Sequence, residues 1–222
     1  MIRRMKTTET GGHVRKQVGE LDMASVEVTL ATLGDSPRDR RDAALLSLAS
    51  DSLCRESELV AVRVEDLHHN RRRHTWSRHV PFSKTNQDGA TPYCRFVSLE
   101  TIERIRAWKA AAGITEGLLF LPTGGRPRAI GVTDVALLPQ EVARIFRRRA
   151  KAAGLDHAGT TSGHSARIGS ANDLAESGAT GAQIQHAGGW KADRMVTYYT
   201  RRSEARASAM ARLRSTKRGN KA

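Results

Sequence analysis

The densest chemistry in the chain lies at Thr161-Ser162-Gly163-His164-Ser165-Ala166-Arg167. Thr161 or Ser162 is placed to cap a helix that opens here. His164 and Arg167, three residues apart, then project from one face of its first turn. A helix N-terminus already favours a phosphate through its free N–H groups and dipole. A His donor and a forked Arg sharpen that into a focused anion site. The same spacing also arises on the surface of any arginine-rich chain, so both readings stand at this point.

Two further groups carry possible chemistry. In Leu53-Cys54-Arg55-Glu56-Ser57-Glu58-Leu59, Arg55 follows a strongly apolar helix closely enough for its head to be partly buried. A buried cation needs an anionic partner, and Glu58, three residues on, is in reach. An ordinary surface ion pair has the same spacing and contributes only tenths of a kcal/mol. In His186-Ala187-Gly188-Gly189-Trp190, two glycines point to backbone packed too tightly for side chains, beside an indole N–H able to donate. Tyr198 and Tyr199 follow on a helix, where adjacent side chains diverge by ~100°, so only one can face a site squarely. Core packing alone would also explain Trp190 and one tyrosine.

The elements that must hold these residues are mostly helical. Asp22 caps a segment to about Leu33, with Val26, Leu30 and Leu33 on one face. Ser36-Pro37 starts a second helix whose buried stripe is Leu45, Leu46, Leu48, Ala49 and Leu53. Glu56 to Ala61 reads as a helical turn and Val62 to Leu67 as the run into a sheet. Arg73 to Pro81 and Tyr93 to Leu99 are β-type stretches around the polar connection Ser83-Lys84-Thr85-Asn86-Gln87-Asp88-Gly89. Helix returns over Glu100 to Ala112, Pro139 to Ala153, Gly163 to Ser177 and in shorter pieces to Arg214, with a Gly/Pro/Arg loop from Thr123 to Thr133. The expected fold class is α+β, mainly α: a helical domain with a small antiparallel β-sheet insert.

Composition bounds the partners. The chain has 222 residues with 37 Lys+Arg against 23 Asp+Glu, a net charge of +14 and a pI near 10.8. Such a field draws in polyanions, nucleic acid above all. Arginine replacing lysine on solvated faces is the plainer explanation, and charge alone does not separate a DNA-cutting enzyme from a DNA-coating protein. No apolar run approaches the ~18 residues of a membrane span, and the basic start lacks the apolar stretch of a secretory signal. Two cysteines, Cys54 and Cys94, make neither a metal spacing nor a disulfide framework, which suits a reducing cytoplasm.

In the order Arg55, His164-x-x-Arg167, Gly189-Trp190, Tyr199, these signals resemble the tyrosine recombinase (phage integrase) family over roughly residues 17–213. The family pattern is an Arg in an Arg-x-x-Glu-Leu turn, a Lys on a β-hairpin, His-x-x-Arg, then His or Trp, then Tyr nine residues later. Nine from Trp190 is Tyr199, not Tyr198. Lys84 is the only lysine between Lys16 and Lys109 and lies in the hairpin position. Glu56, where an apolar residue is usual, is a departure.

The resemblance implies a catalytic set of Arg55, Lys84, His164, Arg167, Trp190 and Tyr199, with Glu58 orienting Arg55. Tyr199 would attack a DNA phosphodiester to leave a 3′-phosphotyrosyl enzyme and a free 5′-hydroxyl. A free tyrosine with a pKa of about 10 needs neighbouring cations for that. Arg55 and Arg167 would clamp the non-bridging oxygens, His164 and Trp190 would donate to them, and Lys84 would protonate the departing oxygen. Neither a metal nor ATP nor any other cofactor is expected. The sequence has no two-metal carboxylate cluster and no phosphate-binding loop of the Gly-x-x-x-x-Gly-Lys type.

The family also implies double-stranded DNA as partner and a tetramer on it, a monomer in solution being compatible with both. A helix at Ser203 to Leu213 would dock on a neighbour or fold back on its own domain. The expected organisation is a flexible basic leader (1–16), a catalytic domain (17–214) and a basic tail (215–222), in a cytoplasmic, nucleoid-associated protein. That expected organisation is without the family's N-terminal DNA-binding domain. A type IB topoisomerase-like activity and a non-catalytic DNA-binding fragment are the competing expectations.

Overall fold

The computed structural model describes residues 18–81, 90, 92–123 and 135–206, with side chains as far as Thr200. Lys84, most of the Thr123 to Thr133 loop and the side chains of Ser203 to Leu213 lie outside the described residues.

The chain opens with α1 (Met23–Ala31), capped by Asp22, whose carboxylate accepts from the Ser25 N–H at 2.8 Å. It ends two residues before Leu33, and Val26 and Thr29 are its buried residues. Ser36 and Pro37 start α2 (Pro37–Ser52) as expected, and its apolar stripe forms the centre of the main core. Leu53 then turns the chain sharply in a left-handed conformation (φ 48°, ψ 31°). One turn of helix, α3 (Glu56–Val60), follows directly.

The sheet has three antiparallel strands in the order β1 (Leu67–Asn70), β2 (Thr75–Val80) and β3 (Tyr93–Val97). The first of these departs from the sequence reading: Val64–Asp66 is a 3-10 turn, and the polar His68-His69-Asn70 forms the edge strand. An edge strand needs little apolar content, since one side of it faces water. Arg78 and Arg95 pair across β2 and β3 and both point inward.

Helix α4 (Leu99–Ala112) packs on α2, capped by Ser98 and closed by Gly113. Helix α5 (Pro139–Ala152) lies against α3 and α1. Its Arg148 and Arg149 reach the buried Asp42 of α2 at 2.6 and 2.7 Å, where Arg41 also binds at 2.7 Å.

Three helices complete the fold: α6 (Ser165–Glu176), α7 (Gly181–Gly188) and α8 (Asp193–Arg206). The expected cap at Thr161 or Ser162 falls instead on His164, because Ser162 spends its hydroxyl on the His164 N–H. A second, smaller core of Leu53, Ala171, Ile184, Trp190 and Val196 joins these helices to the end of α2. The result is the expected mainly helical α+β fold. No helix among the described residues is long and apolar enough to cross a membrane.

Candidate active site

The site forms where four chain turns meet, and local sequence sets each turn. Leu53 reverses the chain after α2, which puts Arg55 at the start of α3 with its side chain only 20% exposed. Glu58 holds it from one helical turn away. One carboxylate oxygen accepts from the Arg55 guanidinium at 2.7 Å and the other from the Arg55 backbone N–H at 3.0 Å. Burial pushes the Glu58 carboxyl up, but these two hydrogen bonds, with the pull of Arg55 and Arg167, outweigh it and hold its pKa below the usual range.

The second turn precedes α6. Gly163 lies so close to α3 that a Cβ there would be 2.1 Å from Cδ of Glu56, so glycine is what lets the two turns touch. His164 is exposed at the N-terminus of α6, while Arg167 is buried at 1% exposure. Arg167 donates to the Leu53 carbonyl and, at 2.7 Å, to the Gly188 carbonyl. Its pKa is lowered to about 10, chiefly by burial and then by the nearby charge of Arg55. A cation so placed gains from any anion that enters.

The third turn is Gly188-Gly189-Trp190 at the end of α7. Gly189 adopts φ +58°, the left-handed conformation that ends many helices. Trp190 follows, buried, with the Arg167 guanidinium carbon 4.5 Å from its ring centroid. The fourth piece is α8, where Tyr199 stacks on Trp190 with centroids 5.0 Å apart and planes at 22°. Tyr198 lies edge-on to the Tyr199 ring, with centroids 5.3 Å apart, and is 53% exposed. Only Tyr199 of the pair stacks on Trp190, as the ~100° divergence of adjacent helical residues requires.

Arg55, Glu58, Arg167, Trp190 and Tyr199 therefore converge, and His164 stands at the rim on the turn before Arg167. Lys84 belongs to the segment between Val80 and Tyr93, which pair with each other at the strand ends. Tyr93 Oη reaches toward Glu58 at 3.5 Å. Two buried arginines escaped the sequence reading. Arg78 donates to the Glu58 backbone carbonyl at 2.6 Å and to Cys54 Sγ at 2.7 Å. Arg95 donates to the backbone at the end of α7. Their only sequence signal is an arginine at an inward position of a strand, legible once the register is known. Among the described residues no three His, Cys, Asp or Glu side chains converge as a metal site. The arrangement sets two guanidiniums, an indole and a phenol side by side.

Residues 20–206 match the phage integrase family. The chain belongs to the phage integrase family. Of its curated relatives, the recombinase cre of Escherichia phage P1 is 28% identical over 96% of this chain and 65% of its own length. The chain thus spans about two thirds of that phage integrase relative. Among solved structures, XerA recombinase superposes with a TM-score of 0.66 at 16% identity, covering 91% of this chain and 66% of that one. XerH, a site-specific recombinase solved with its palindromic difH substrate in a post-cleavage complex, gives 0.69 at 17% identity, covering 88% and 53%. At such identities these two establish the shared fold.

Proposed function

We propose that this chain is the catalytic part of a site-specific DNA recombinase that breaks and rejoins strands through a 3′-phosphotyrosyl intermediate. The observation that carries this reading is the stack of Tyr199 on Trp190 with Arg167 against the same ring and Arg55 near enough to depress the Arg167 pKa. It sets a phenol beside two guanidiniums, and among the described residues the only carboxylate hydrogen-bonded to either is Glu58, on Arg55.

In this mechanism the scissile phosphate enters between Arg55 and Arg167, which bind its non-bridging oxygens, and His164 and Trp190 donate to the same oxygens. Tyr199 Oη forms the new bond to phosphorus and loses its proton to solvent. The bond from phosphorus to the 5′-oxygen breaks, and Lys84 supplies the proton that oxygen takes up. The phosphotyrosyl ester keeps the energy of the broken linkage, so attack by a second 5′-hydroxyl reverses the step on a new strand. Glu58 keeps the Arg55 fork aimed. Double-stranded DNA is the partner and a tetramer on two sites the working assembly, with residues 17–214 as catalytic domain. Relatives solved on DNA support this partner.

The test is a nicked duplex that traps cleaved product. The protein should form a covalent adduct on it, and Tyr199→Phe should bind the same duplex without forming one. An adduct that survives Tyr199→Phe and disappears in Tyr198→Phe would overturn the assignment. Recombinant product from two DNA sites separates strand exchange from cleavage with simple resealing.

A further inference from the structure

Arg95 has no part in the mechanism above, yet it is only 3% exposed and stands one helix end away from Trp190. From β3 its Nη1 donates to the carbonyls of His186, at 3.0 Å, and Ala187. These are among the last carbonyls of the helix, His186 also accepting the Gly189 N–H at 3.1 Å, and the helix dipole favours a cation at this end. From the other side Arg167 takes the next carbonyl, Gly188, at 2.7 Å. Three successive carbonyls are thus held by two guanidiniums, one from the sheet and one from α6.

The fit is close. A Cβ at Gly189 would lie 2.2 Å from Arg95 Nη2, so the glycine that ends α7 also makes room for this fork. Tyr93 lies against the guanidinium at 4.5 Å. Nε and Nη2 of Arg95 are nevertheless buried with no hydrogen-bond partner among the described residues. A desolvated cation with two idle donors is expensive for a strand that needs only an apolar residue at this inward position. Stability alone does not account for it.

We propose that Arg95 is a positioning residue for strand cleavage, acting through Trp190. It ties the C-terminus of α7 to the sheet, and so sets where the Trp190 indole stands against Tyr199 and an incoming phosphate. The inference rests on the reading of the site as a recombinase centre.

The decisive comparison uses Arg95→Met, Trp190→Phe and the double variant, followed by single-turnover adduct formation on the nicked duplex, DNA titration and amide hydrogen exchange of the free protein. Arg95→Met should bind DNA within about twofold of the parent and cleave roughly tenfold more slowly or worse, the scale expected for a misplaced catalytic group. Exchange should quicken over residues 186–191. In the Trp190→Phe background the same change should add little further loss. A parental cleavage rate in Arg95→Met, or losses that multiply in full in the double variant, would overturn the proposal. If the parent protein forms no adduct, the recombinase reading fails by itself, and unchanged exchange at 186–191 would then also overturn the tie. Should Arg95→Met fail to fold, Arg95→Lys, which keeps the charge without the fork, is judged by the same criteria.

Discussion

The Arg167 guanidinium carbon lies 4.5 Å from the centroid of the Trp190 ring, and that ring stacks on Tyr199 at 5.0 Å. A cation over an indole face is attracted by the ring's quadrupole, more strongly when water is excluded. Trp190 therefore serves the smaller core and the phenol at once, and the two roles separate by substitution. Trp190→Ala should cost about 3–5 kcal/mol, as loss of a buried aromatic does. Trp190→Phe should keep most of that stability while slowing adduct formation, because it keeps a ring and loses the N–H. Urea denaturation and cleavage rates on the same samples check both.

The Glu58 carboxyl is held below its usual pKa in the folded state. A depressed carboxylate contributes stability that is fully present above its unfolded pKa of about 4.3 and is lost as pH falls through the lower folded value. Glu58→Gln should therefore be most destabilising near neutral pH, with the difference shrinking below about pH 4. Urea midpoints taken from pH 7 down to pH 3 test this. A difference that stays constant with pH would contradict it.

Asp42 is fully buried and binds Arg41, Arg148 and Arg149 at 2.6–2.7 Å, tying α5 to α2. Removing Asp42 leaves the buried Arg41 without its carboxylate and Arg149 with Asp39 alone, a loss of about 3–5 kcal/mol. Asp42→Ala should lower stability by that amount in urea titrations. It should do so without any change specific to cleavage in the protein that remains folded.

Arg167 and Arg55 repel each other in a buried site, which contributes to holding the Arg167 pKa at about 10. An anion bound between them relieves that repulsion. Sulfate should stabilise the parent protein beyond its general salting effect by about 2.7 kcal/mol at a hundredfold excess over its dissociation constant, read as a rise in melting temperature. Arg55→Ala should show only the general effect. Equal gains in both proteins would argue against an anion receptor here.

Much of this site was legible in the sequence because its partners are close along the chain. Arg55 and Glu58 are one helical turn apart, and the spacing from Trp190 to Tyr199 is fixed by the helix between them. The cap at Ser36-Pro37 and the stripe of α2 were legible for the same reason. What escaped depends on distant backbone. In Tyr93-Cys94-Arg95-Phe96-Val97 the alternation is ambiguous, since both Cys94 with Phe96 and Tyr93 with Val97 make an acceptable inner face. The fold turns Arg95 inward and leaves Phe96 exposed, because the carbonyls that Arg95 binds belong to α7, more than ninety residues later. The edge strand β1 escaped because its pairing with β2, rather than its own composition, makes it a strand.

The Arg167 bond to Leu53 spans 114 residues of sequence, and the Arg95 bond to Ala187 spans 92. Contacts between distant parts of a chain are slow to form, because a large loop must close before they give any return. The capped helices α2 and α4 need no such closure. During folding, then, the charged helices can exist before the pocket does. A partly folded chain would already attract DNA through its charge, while the power to cut it would arrive only with the last closures. On the proposed function, a cleavage assay would be a stricter report of complete folding than DNA affinity.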